Sequence, residues 1–214
     1  MKLNDCHNFE DFRKLAKKKL PSPIFHYIDG GADDEVTLNR NTSSFNDYDL
    51  VPSVLNDVSN IDMSTTVLGE KIDFPLFPAA TAMHRLYHHE GERASAKAVE
   101  KMGTIFGTST MGTVSIEEIA KVNKGPKLFQ LYIHKDRGLT DNLLERCKKA
   151  GFSSMCLTVD TVVAGNRERD RRTGFTTPPK LTLGSLLSFA LHPGWTINNL
   201  THEKFKLENV VHMT

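Results

Sequence analysis

The chain has 214 residues, of which 39% are hydrophobic, with 27 Lys and Arg against 26 Asp and Glu. A formal net charge of +1, with both signs interleaved, excludes nucleic-acid binding through a general electrostatic footprint. The apolar content is enough for one sizeable core, and no stretch reaches the roughly 18 apolar residues of a membrane span. Cys6, Cys147 and Cys156 have no metal-ligand spacing and cannot all pair, so they read as buried thiols of a reducing compartment. The opening "MKLNDCHNFEDFRK" lacks the apolar core of a signal peptide, and a soluble cytoplasmic protein is the expectation.

Taken in chain order, residues 1–71 read as a helical lead-in. Phe9, Phe12, Leu15 and Ala16 fall on one helical face, and Lys17 to Lys19 load the last turn, where cations suit the helix dipole. Pro23 suits the first turn of a second helix through Tyr27 and Ile28, which Gly30-Gly31 ends. A third helix is expected across Asp34 to Phe45.

From residue 72 to 160 strands and helices alternate. The strands are "FPLFPAA" (74–80), "TIFGTS" (104–109), "KLFQLYI" (127–133) and "SMCLTV" (154–159). Between them come a helix over 90–102, with Ala94, Ala98, Val99 and Met102 on one side and Gly103 as its stop, and one opened by a Ser115/Glu118 capping box. The last runs from Asp141 to Ala150, burying Leu143, Leu144, Cys147 and Ala150 ahead of Gly151. Such alternation implies parallel βαβ units, which fit either a doubly wound sheet or half of an eight-stranded barrel. No GxGxxG follows the first strand, so a dinucleotide fold has no positive signal. Residues 161–214 read as a long loop or tail. Within it, the apolar run 181–195 reads as packing on the domain, a partner surface or a shallow membrane contact.

Polar residues recur at the expected strand C-termini: Thr81, Ser109, Gln130 with Tyr132 two residues on, and Thr158. Barrel enzymes build their sites on that rim. Alone, Ser109 and Thr158 would more often satisfy nearby backbone, and Tyr27 on a short helix would usually be core. The stretch "LTVDTVVAGNRERDRRTGF" ends the last strand in an arginine cluster that could be a solvated loop, a nucleic-acid patch or an anion site. The nine histidines show neither HExxH nor paired-ligand spacing, so no metal is expected.

Five blocks in order carry a resemblance: "KLPSPIFHYIDGGADDEVTLNRN", "FPLFPAATAM", "HHEGERASAKAVEKMGT", "FQLYIHKDR" and "LTVDTVVAGNRERD". They resemble the FMN-dependent 2-hydroxy-acid oxidising enzymes, the family of glycolate oxidase, the cytochrome-type L-lactate dehydrogenases and mandelate dehydrogenase. The resemblance implies α/β architecture, the first half of a (β/α)8 TIM barrel with FMN at its C-terminal rim. It implies that the backbone of Ala80, Thr81 and Ala82 lies against the flavin. Ser109, Gln130 and Thr158 would bond the ring edge, Tyr27 and Tyr132 would contact substrate, and Arg167 would hold the substrate carboxylate. Arg169, Arg171 and Arg172 then read as solvated or as surface pairs. Ala80 replaces the family's usual proline, and Met111 stands where glycolate oxidases carry a tryptophan.

The family's His-Gly-x-Arg motif is absent from these residues, as are its N1 lysine and phosphate-binding Gly-Arg segment. The expectation is therefore the N-terminal portion of a single FMN-dependent hydroxy-acid dehydrogenase domain, binding FMN weakly and inactive by itself. The complete protein would oxidise a small L-2-hydroxy acid to the 2-oxo acid, most like the L-lactate dehydrogenase branch. A glycolate oxidase-like enzyme and an inactive remnant or weak flavin-binding protein are the alternatives. The electron acceptor (quinone, cytochrome or oxygen) stays open, a homo-oligomer is compatible with the family, and peripheral membrane contact would run through 181–195. Were the chain active as it stands, His84 and His134, each just past a strand end, would be the first candidates for a base.

Overall fold

The structure, a computed structural model, describes residues 2–176 and 180–210. In chain order, α1 spans Phe9–Lys19, α2 Ser22–Asp29 and α3 Val36–Ser43, followed by the strand pair β1 (Thr65–Val67) and β2 (Glu70–Ile72). Next come α4 (Glu92–Lys101), β3 (Phe106–Ser109), α5 (Ile116–Val122), β4 (Lys127–Leu131), α6 (Arg137–Lys149) and β5 (Ser154–Leu157). Three helices close the series: α7 (Glu168–Thr173), α8 (Leu183–Ala190) and α9 (Pro193–Thr201). The chain divides into two compact units, one formed by residues 1–56 and 163–201, the other by 57–162 and 202–214.

In the first unit, α1 starts where the Asn8 side chain accepts the Asp11 N–H at 2.9 Å, and its last turn carries Lys17, Lys18 and Lys19. Leu15 is buried, but Phe9 is 93% exposed and Phe12 is exposed as well, so the expected apolar face shrinks to its C-terminal end. Helix α2 opens with proline in its first turn and stops at Gly30. The stretch expected as a loop is helical in α7, α8 and α9; Thr182 caps α8 by accepting the Ser185 N–H at 3.1 Å. The Pro178-Pro179 boundary lies outside the described residues.

The second unit is built on a parallel sheet of order β3-β4-β5, flanked by α4, α5 and α6. Among the described residues three parallel strands are present where four were expected. Residues 74–80 join no ladder, and the Leu76 N–H turns back to Phe74 O at 2.8 Å. Pro75 and Pro78 remove two of that run's donors, which disfavours a ladder. The run is instead tied at intervals: Asp73 N–H donates to Gly103 O at 2.9 Å, and the Thr104 hydroxyl donates to Leu76 O at 2.7 Å.

Sequence reading missed the β1–β2 hairpin, because its two-residue turn places Leu68 beside Gly69, both at positive φ (53° and 82°). That turn ordinarily advertises itself with Asn-Gly or Asp-Gly.

The core gathers where the sheet meets its helices. Phe129, Leu131, Ile116, Leu139, Leu143 and Cys147 form one cluster; Phe106, Val114, Ile119, Ala96 and Val99 form another. Burial pushes the Cys147 thiol up to about 12, as suits an inert core cysteine, whereas Cys156 is exposed and Cys6 half-buried, contrary to the expectation for both. The buried stripe of α4 is Glu92, Ala96 and Val99; Ala94, Ala98 and Met102 face outward. In α6, Leu139 and Thr140 are buried while Leu144 is exposed, because the helix begins a turn earlier than expected, with Asp136 as its cap.

Candidate functional site

Parallel pairing places Ser109 opposite Gln130 and Gln130 opposite Cys156. Thr158 follows β5, its N–H donating to Leu131 O at 3.0 Å. Three polar side chains consequently meet at the C-terminal edge of the sheet. The Ser109 hydroxyl donates to Gln130 Oε1 at 2.8 Å, and Gln130 Nε2 donates to Thr158 Oγ1 at 2.6 Å. Met111 N–H donates to Ser109 Oγ at 3.2 Å, fixing the end of the line. One Gln130 amide hydrogen and the Thr158 hydroxyl hydrogen are left for a further acceptor.

The chain at Ala80 packs on β3 at position 107, two residues before Ser109, where glycine leaves room for it. A Cβ there would lie 3.0 Å from Ala80 N and 3.1 Å from Ala80 Cα. The absent side chain is what allows that approach. The Thr81 hydroxyl lies 2.6 Å from His84 Nε2, while His84 Nδ1 lies 3.2 Å from Ser95 Oγ. Beneath them Glu92, 0% exposed, accepts the Thr113 N–H (2.9 Å), the Thr113 hydroxyl (2.6 Å) and the His84 backbone N–H (3.2 Å).

Tyr132 follows β4 with its ring half-exposed, and its N–H donates to Thr110 Oγ1 at 3.1 Å. His134 Nδ1 accepts the Asp136 N–H at 3.1 Å and so belongs to the entry of α6.

In the first unit, Tyr27 and Arg167 come together. The Arg167 guanidinium lies 5.2 Å from the Tyr27 ring centroid, its Nε pairs with Asp170 at 2.6 Å, and its Nη2 donates to Tyr27 O. Arg169 departs from the expectation of a solvated side chain. It is half-buried and bridges Asp29 (2.8 Å) and Glu35, while Asp29 also takes Arg13. These guanidiniums hold the Asp29 carboxyl below its ordinary value, against the cost of burial. Arg172 pairs with Glu168 on the surface, as expected.

The sequence model of the FMN-dependent dehydrogenases matches residues 16–214. The chain belongs to that family. It is 43% identical over 181 residues to glycolate oxidase 1 of Zea mays, covering 85% of this chain and 49% of the relative. It is 46% identical over 187 residues to L-lactate oxidase of a Nostoc species, covering 86% and 51%. The crystal structure of the monotopic membrane protein (S)-mandelate dehydrogenase superposes with a TM-score of 0.89 at 34% identity, covering 97% of this chain and 55% of that one. The chain thus spans about half the length of the curated relatives it matches.

FMN is the cofactor of this family. The Ser109–Gln130–Thr158 line suits the edge of a flavin, which presents carbonyl acceptors beside an imide N–H; a carboxamide flanked by hydroxyls can address both. Among the described residues, no group of three or more His, Cys, Asp and Glu is placed to hold a metal ion.

Sequence reading overlooked Asn209. It is 1% exposed, accepts the Ile116 N–H at 3.0 Å and donates to Ser109 O at 3.3 Å, so it spans the turn from β3 to α5. Its own carbonyl takes Arg146 Nη1 at 3.3 Å, and nearby His202 stacks on His89 with ring centroids 3.8 Å apart. These contacts bind residues 202–210 into the second unit. Only the distant partners reveal the role, since nothing in "FKLENVV" marks it. Asn209→Ala leaves the buried Ile116 N–H without its partner, while Ser109 O keeps the Gly112 N–H at 2.9 Å. The expected loss is about 1–3 kcal/mol of unfolding free energy, checked by urea denaturation of the intact protein. An unchanged midpoint would show that Asn209 is dispensable to the turn.

Proposed function

We propose that the whole protein oxidises a small L-2-hydroxy acid to the corresponding 2-oxo acid, with bound FMN as the two-electron acceptor. The observation carrying this reading is the hydrogen-bonded line of Ser109, Gln130 and Thr158 at the sheet's C-terminal edge, in a chain of the FMN-dependent family. Those three residues are assigned to the flavin ring edge and the backbone of Ala80, Thr81 and Ala82 to its face. Tyr27, Tyr132 and Arg167 are assigned to the substrate. Asp170 and Tyr27 O hold Arg167 through Nε and Nη2, leaving the Nη1 hydrogens for a carboxylate. No residue of the 214 is assigned the proton-abstracting role. The sheet and its helices are read as part of a (β/α)8 barrel, on the support of parallel β3-β4-β5 order and the mandelate dehydrogenase superposition.

L-Lactate is the substrate we favour, supported by the 46% identity to an L-lactate oxidase. Glycolate and (S)-mandelate are the comparison substrates in the assay. Turnover of none of the three, with FMN bound, would overturn the reading.

A membrane-surface role is supported by α8 and α9, which expose Leu183, Leu186, Leu187, Leu191, Ile197 and Leu200. No Lys, Arg, Asp or Glu occurs between Leu183 and Thr201, so attachment would be apolar and insensitive to salt.

Gln130→Ala removes both side-chain bonds of the central residue. FMN retention should fall by about 1–3 kcal/mol, read by flavin titration of the intact protein. Unchanged affinity and unchanged flavin potential would take Gln130 out of the site. Arg167→Lys should raise the substrate KM, since an ammonium cannot give planar two-point recognition, whereas Arg171→Lys should leave it alone. Equal effects at the two positions would mean that the cluster acts as a diffuse field. In flotation with phosphatidylcholine vesicles, the intact protein should rise with lipid at low and high salt alike. Leu187→Asn with Leu191→Asn should remain in the dense fraction. Wild-type protein staying with the dense fraction would end the membrane reading.

A further inference from the structure

The flavin-facing segment assigned above is held by a side chain that the family reading leaves without a role. His84 sits in the short helical turn after residues 80–82, with Thr81 Oγ1 on one ring nitrogen (2.6 Å) and Ser95 Oγ on the other (3.2 Å). Its backbone N–H is anchored on Glu92 (3.2 Å). We propose that His84 is a positioning residue for the flavin, setting the direction of the Thr81 hydroxyl and reversing that direction when the ring is protonated. The inference rests on the assignment of residues 80–82 to the flavin.

The reversal follows from the donor inventory. A neutral imidazole has one donor and one acceptor nitrogen, so Thr81 can donate to Nε2 while Nδ1–H donates to Ser95. An imidazolium donates from both nitrogens. Thr81 Oγ1 must then accept, and its own hydrogen turns away from the ring toward whatever lies along the 80–82 backbone. A donor is thereby gained on the cofactor side at low pH without any movement of the chain. A donor close to a flavin stabilises the negative charge of its reduced form and raises its potential.

The surroundings favour a ring that changes state. Burial lowers the affinity of His84 for its proton, opposed by the charge of Glu92 on α4. Glu92 is the acidic group facing it, itself tied to Thr113 from the turn after β3. The neighbouring cation, Arg85, is buried but directed toward Glu203 and, at 3.9 Å, Glu208. Ser95 completes the shell from α4.

The test uses the intact FMN-loaded protein and measures the flavin midpoint potential and visible spectrum from about pH 5 to pH 8. Wild type should show a break in the slope of potential against pH on the acid side of the ordinary imidazole value, with a matching change in the flavin spectrum. His84→Gln keeps a neutral hydrogen-bonding group and should retain FMN while losing the break. His84→Phe should bind FMN about tenfold more weakly, because Thr81 and Ser95 lose their shared partner. Ser95→Ala leaves the Thr81 contact in place and should shift the break without abolishing it. An identical break in wild type and His84→Gln, both holding FMN normally, would overturn the inference and leave the proposed function standing. Failure of the wild type to take up FMN would overturn the flavin assignment, and this inference with it.

Discussion

A buried primary amide sets the terms for the second unit. Gln130 stands on the middle strand, and its largely buried carboxamide calls for an oxygen partner and a nitrogen partner. Each one missing would cost about 1–3 kcal/mol. The oxygen is served from β3 by Ser109 and the nitrogen from beyond β5 by Thr158, so one side chain depends on both neighbouring strands at once. A slip of one residue in either pairing would turn the partner side chain to the opposite face and strand the amide. The register is defended from below by Phe106, Phe129 and Leu131, fully buried against α5 and α6. Packing and polar satisfaction therefore select the same alignment, and the Ser109–Gln130–Thr158 line is the upper edge of the core rather than an addition to it.

The first unit solves a different electrostatic problem. Its arginines lie close together in sequence, and three of the four between residues 167 and 172 are paired with carboxylates. Arg169 takes Asp29 and Glu35, Arg167 takes Asp170, and Arg172 takes Glu168. The partition distinguishes their uses. Arg169 is spent on tying α7 to α2 and to the start of α3, where its partner Glu35 also accepts the Gly31 N–H at 2.9 Å. Arg167 is braced by one carboxylate and one carbonyl, with part of its fork unspent. A braced arginine presents its remaining donors with little rotamer entropy left to lose, which is the condition for recognising a planar anion.

Much of the architecture was legible because helix stops and strand ends carry local signals. Gly30, Ser115 and Gly151 act where their chemistry says they should, and the polar strand ends of β3, β4 and β5 do meet. Where the inner face of α4 and the role of Asn209 were missed, the deciding partner is far away in sequence. Ala94, Ala98 and Met102 looked like the inner face of α4, yet that face is occupied by Glu92, a charged residue whose burial makes sense only once Thr113 and the His84 backbone are beside it. Asn209 is unremarkable until Ser109 and Ile116 are brought against it from 100 and 93 residues away. Even the half-right capping box follows the pattern. Ser115 caps α5, but the Glu118 carboxylate is drawn to Arg93 at 2.6 Å.

The run over 74–80 is the most instructive miss, since its failure to become a strand is what makes it useful. Had "FPLFPAA" joined β3, half its backbone donors would have been consumed by the ladder. Instead the prolines keep it outside, Asp73 and Thr104 tie its beginning, and Met83 N–H returns to Met111 O at 3.3 Å at its end. Between those ties the N–H groups of residues 79–82 belong to no sheet. Gly107 lets Ala80 lie against β3, and among the described residues the N–H groups of 79–82 make no backbone bond. A proline at position 80 would remove one donor; Ala80 keeps it. A segment with fixed ends and N–H groups outside any ladder can address a ligand through backbone alone.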